Sequence, residues 1–86
     1  MNSIEQLCIN LAAEKDNLAK HRSCIAELQV EINQAIPLAQ LFFKDQEAGR
    51  EIARLLTAAR NELTWADNAF CSLGGEITTY IADLQK

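Results

Sequence analysis

The sequence predicts an all-α protein, a long antiparallel helical hairpin with heptad seams that assembles into a helical bundle. Three observations carry this expectation. Apolar residues recur at alternating steps of four and three through Ile52, Leu56, Ala59, Leu63, Ala66, Phe70, Leu73, Ile77, Tyr80 and Leu84, the pattern of a helix that lies along another helix. A second seam runs through Ile4, Leu7, Leu11, Leu18, Ile25, Leu28, Ile32 and Ala35. Composition agrees: hydrophobic residues make up 49%, with three Gly and one Pro, and no stretch alternates with period two, so helix is expected over about three quarters of the chain.

The first arm opens on Ser3-Ile4-Glu5-Gln6. This reads as a capping box in which the Ser3 hydroxyl accepts from the Gln6 amide while Gln6 reaches back. Glu14 and His21 interrupt the first seam, as polar residues do when they set register or subunit number at some cost in stability.

Pro37 is the only proline and would remove the helical bond to the Asn33 carbonyl. Either the helix ends near Ala35 and another begins at Pro37, or it kinks at Pro37 and continues. The kinked arm is favoured, because a loop made of Leu38 to Phe43 would leave four large apolar groups in water.

The reversal is expected at Lys44-Asp45-Gln46-Glu47. There Lys44 would sit at a helix C-terminus, Asp45 would cap the next helix and Glu47 would occupy its first turn. Gly74-Gly75 is the second punctuation mark, since paired glycines cost about 2 kcal/mol in a helix interior. A break or bend is expected there, followed by a short C-terminal helix from Glu76 to about Gln85.

At 86 residues the chain is read as one helical domain, 1–86, of a size at which association often supplements a small core. A homo-oligomer is therefore expected. The net charge of −4 argues against nucleic acid as a partner. No apolar run approaches the roughly 20 residues needed to span a bilayer, and a cytoplasmic protein without a membrane partner is the expectation. Cys8, Cys24 and Cys71 are odd in number and form no CxxC pair, which does not resemble a disulfide framework.

Catalytic motifs are lacking: the sequence has one histidine, no GxSxG and no P-loop, so no enzymatic activity and no cofactor are expected. His21, Cys24 and, across the hairpin, Cys71 could be drawn as metal ligands. Structural zinc usually takes four, and no fourth is evident, so no metal is expected.

Two features point outward. Lys15, Lys20 and Arg22 on the first arm, with Arg50, Arg54 and Arg60 on the second, form basic groups with acids at helical spacing. They read as a solvated face or, alternatively, as a site for a small anionic ligand such as a nucleotide, held between subunits. Trp65 falls off the second seam, with Ala58, Asn61, Asn68 and Ala69 as its helical neighbours, and a large ring over small residues suits either an external partner or packing within the homo-oligomer. A row of Ala12, Ala19 and Ala26 forms a second shallow face on the first arm. The expected function is that of a non-enzymatic helical protein that binds and modulates another macromolecule, as an adaptor, a chaperone or a phage- or mobile-element-type inhibitor. The alternative is an oligomer that sequesters a small anion.

Overall fold

The computed structural model describes residues 2–42 and 44–86. It contains two helices, α1 (Ser3–Phe42) and α2 (Glu47–Leu84), packed along each other. Asn2, residues 44–46 and the last two residues alone among the described residues lie outside helix, so the all-α hairpin expected from the two seams is what the chain forms. The molecule is a rod of 64 × 15 × 13 Å. Its radius of gyration of 19.3 Å far exceeds the roughly 12 Å of a globular domain of this length.

The N-terminal cap falls one residue earlier than expected. Asn2 Oδ1, not the Ser3 hydroxyl, accepts the free amide, from Glu5 at 2.7 Å. Asn-x-x-Glu at 2–5 overlaps Ser-x-x-Gln at 3–6, and the overlap with Asn leading also puts the Glu5 charge in the first turn, where the helix dipole favours it. Gln6 reaches forward to Asn10 Oδ1 at 3.0 Å instead of back.

α1 continues through Pro37 to Phe42, so the helix does not end near Ala35. Burial explains why: Ala39, beyond the proline, is one of the buried residues of the chain, and contacts on that far side offset a lost backbone hydrogen bond. Phe43, part of the apolar segment weighed in that argument, lies outside the described residues.

The reversal falls in the expected place but works differently. Asp45 adopts a left-handed backbone with φ of 65°, a conformation that Asp tolerates better than most residues. It therefore shapes the turn instead of capping α2. The cap position belongs to Gln46, which is extended and makes no side-chain cap. Ala39 and Gly49, both small, are buried beside this turn.

A larger correction concerns Gly74-Gly75. α2 runs through both without interruption to Leu84, and there is no separate C-terminal helix. The cost of two helical glycines is offset because Ile77, Ile81 and Leu84 beyond them are half-buried toward α1; an isolated terminal helix would lose that packing. Thr78 and Thr79 donate their hydroxyls to the Gly74 and Gly75 carbonyls at 3.0 and 3.2 Å.

The helices also meet along a different strip from the one expected. Buried or half-buried positions on α1 include Cys8, Leu11, Lys15, Leu18, Ile25, Gln29, Ile32, Ile36 and Ala39. On α2 they include Gly49, Ala53, Leu56, Arg60, Leu63, Asp67, Phe70, Gly74, Ile77, Ile81 and Leu84. One column of each predicted seam is kept, Leu11 to Ile32 and Leu56 to Leu84. The second column gives way in most places to its neighbour one residue further on, with Ala35 and Ala66 alone of it staying half-buried. Every helix has both columns beside its central one, and cross-helix pairing selects between them, as the side-chain geometry shows.

Candidate interaction surface

Four hydrogen bonds between side chains of α1 and α2 set the register. Arg22 donates through Nε and Nη2 to the two carboxylate oxygens of Asp67 at 2.9 and 3.3 Å. Gln29 Nε2 donates to Thr64 Oγ1 at 2.9 Å, and Arg60 Nη1 donates to Asn33 Oδ1 at 3.0 Å. Residue numbers rise on one helix as they fall on the other, so the arms are antiparallel.

These pairs lie on one side of the rod. Arg22, Gln29, Arg60 and Asp67 all stand three or four residues from the central columns in the same rotational sense, and two antiparallel helices bring such positions together on a common edge. Long polar side chains suit an edge, since their stems cover apolar neighbours while their heads stay hydrated. This explains the choice of inner strip: the polar columns face across the helices because they can pair there.

The opposite edge is thereby left apolar. It carries Leu7, Glu14, His21, Leu28, Ala35 and Phe42 from α1, and Ile52, Ala59, Ala66, Leu73 and Tyr80 from α2, each a heptad from the next. Leu7, Leu28, Phe42, Ile52, Leu73 and Tyr80 are all exposed, Phe42 at 72% and Tyr80 at 51%. Of the two polar residues in this stripe, His21 sets its ring against Phe70, with centroids 6.2 Å apart and planes tilted by 38°.

Trp65 occupies a third surface. One residue before Ala66, it lies about 100° further round α2 from the apolar edge, on the side away from α1. Its ring is 71% exposed, and Ala58, Asn61, Asn68 and Ala69 are exposed around it. The hairpin itself does not cover this ring. Ala12, Ala19 and Ala26 are likewise exposed, with Ala19 at the rim of a groove that Phe70 and Cys71 line from α2.

The six basic residues are not gathered into one site. Lys15 and Arg22 line a groove of about 230 Å³ with Leu18, Phe70, Cys71 and Gly74. Arg50 lines another, of about 380 Å³, beside the turn with Lys44, Asp45 and Gln40. Arg54 is paired with Glu51 at 2.6 Å and Arg60 with Asn33, whereas Lys20 lines neither groove. Hydrogen bonding from Arg22 holds the Asp67 carboxyl below its ordinary range, and Arg54 does the same for Glu51.

Among the described residues no three His, Cys, Asp or Glu side chains are grouped as metal ligands would be. The three cysteines are free thiols, Cys8 buried and Cys24 and Cys71 exposed. No helix among the described residues is long and apolar enough to cross a membrane. No family model, curated protein or solved structure matches the chain.

What the sequence reading missed is the apolar edge as a surface. By periodicity alone its residues belong to the hairpin's own seam. Part of the signal is in the chain: Lys15, Arg22 and Gln29 share one column, Arg60 and Asp67 another; Arg22 pairs with Asp67 between them, while Gln29 and Arg60 find Thr64 and Asn33 outside those columns.

Proposed function

We propose that this chain acts without catalysis, by binding another protein through the outer face of α2 centred on Trp65. One observation carries the reading: a large ring, 71% exposed, stands among Ala58, Asn61, Asn68 and Ala69 on a helix whose opposite side is already occupied by α1. A ring in such a setting brings a wide apolar area to an interface. Its small neighbours admit the partner closely, and the two asparagines supply hydrogen bonds at the rim. Truncation of an interface Trp of this type typically costs 2 kcal/mol or more of binding.

An adaptor, a chaperone or a phage- or mobile-element-type inhibitor fits this mode of action, since each works by occupying a surface on a target. Sequestration of a small anion draws less support. Its six basic residues are divided between separate places, and three of them already have partners.

The experiment is Trp65→Ala in the full chain, with quantitative capture of a stoichiometric protein from the native host by wild type and variant side by side. Retained helicity and mass with loss of that protein supports the proposal. Equal capture by both chains refutes it.

A further inference from the structure

We propose that the apolar edge formed by Leu7, Leu28, Phe42, Ile52, Leu73 and Tyr80 is the interface with a second copy of this chain, two hairpins closing into a four-helix bundle. This concerns a different surface from Trp65 and does not rest on the function proposed for it.

Surface area favours pairing. The 9.6 kDa chain would expose about 5,100 Å² if compact, yet it exposes 6376 Å². The excess is about 1,300 Å² per chain, or about 2,600 Å² for two, comparable to the roughly 2,000–5,000 Å² that obligate homodimers bury. The interior is correspondingly thin: no side chain among the described residues is fully buried, and Cys8, Ile25 and Ala39 make up its buried apolar set.

Charge favours the same face. In a two-fold dimer each face meets its own copy, so a strongly charged face repels itself while a neutral apolar one is complementary to itself. The α2 half of the edge, Ile52, Ala59, Ala66, Leu73 and Tyr80, contains no acidic or basic side chain, and the α1 half contains only Glu14 and His21. The opposite edge, with Lys15, Arg22, Arg60 and Asp67, is the hydrated one. Helix edges that are polar on one side and apolar on the other fit a bundle in which the apolar sides of two hairpins face inward.

The geometry differs from association through the Ala12, Ala19 and Ala26 row, and a charge placed on each surface separates the two. Light scattering on the purified full chain at tens of micromolar is expected to give twice the 9.6 kDa of one chain. Leu28→Glu and Leu73→Glu are expected to halve that mass, whereas Ala19→Glu leaves it unchanged. A monomeric wild-type chain overturns the proposal and hands the edge to a different partner. So does a dimer that survives both Leu28→Glu and Leu73→Glu, or one that Ala19→Glu dissociates while the edge variants do not.

Because charged variants could unfold the chain, hydroxyl-radical footprinting of the wild type gives an independent reading. Protection of Leu73 and Tyr80 with Trp65 fully reactive supports the interface, and free reaction at Leu73 and Tyr80 in a dimeric sample rules it out.

Discussion

Arg22 and Asp67, 45 residues apart in the chain, share a two-pronged hydrogen bond that fastens α1 to α2 on the hydrated edge of the rod. The guanidinium fork matches the carboxylate, so the pair fixes relative position along the helices as well as attraction. It is also partly solvated, with the Arg22 and Asp67 side chains 43% and 29% exposed, which limits its contribution to stability.

Acid is expected to weaken this fastening in a defined direction. The folded-state pKa of Asp67 lies below its ordinary 3.8, principally through the hydrogen bond from Arg22. Its contribution is therefore complete above that ordinary value and is lost as pH falls through the folded one. Urea midpoints of wild type and Asp67→Asn are expected to differ near neutrality and to converge in strong acid. Glu51, lowered by Arg54, is present in both chains and cancels from the difference. A gap that widens on acidification would contradict the assigned pairing.

Gly74→Ala and Gly75→Ala are expected to stabilise the hairpin. Both positions are helical, and a Cβ at either meets nothing within 4 Å. Each replacement should add about 0.5–1 kcal/mol by restricting the unfolded backbone. Thermal unfolding should show this as a rise in midpoint of roughly 4–8 °C per kcal/mol. Destabilisation at Gly74 would mean that another surface presses against it.

Asn2 and Ser3 should separate cleanly as cap and first helical residue. Asn2→Ala removes the acceptor of the Glu5 amide and is expected to cost about 1 kcal/mol. Ser3→Ala should change stability by no more than about 0.5 kcal/mol, as surface substitutions do. Unfolding midpoints of the two variants, with amide exchange at Glu5, provide the measurement, and the reverse order would restore Ser3 as the cap.

Two seams of nearly equal length made the hairpin legible in the sequence, and so was its alignment. Cys71, drawn across the hairpin beside His21 and Cys24, lines one groove with Leu18 and Arg22 of the first arm. Trp65 was also legible as a ring outside the contact between helices. The side on which the arms meet was not. Periodicity ranks columns by how apolar they are, and by that measure Leu28 and Leu73 outrank Gln29 and Gly74. The folded pair ranks them by what meets across the gap, and Arg22 with Asp67 or Arg60 with Asn33 becomes visible only when both arms are present. Arg54 with Glu51 was readable because both lie on one helix, three residues apart. Gly74 and Gly75 misled for a related reason: local propensity disfavours helix there, while packing of Ile77 and Ile81 against α1 supports it.

The unbroken phase of α1 and α2 limits how a chain of this shape can change length. An additional residue inside either arm would turn everything beyond it by about 100°. It would carry Arg22 away from Asp67, or Leu73 away from the apolar edge, over half the rod at once. Seven residues added together would restore the rotation while shifting the alignment by one heptad. The bend between Phe42 and Glu47 is exempt, because residues added there alter neither arm and enlarge a loop whose closure depends only weakly on its length. Gain or loss of sequence is therefore expected to be tolerated at the bend and resisted within the arms.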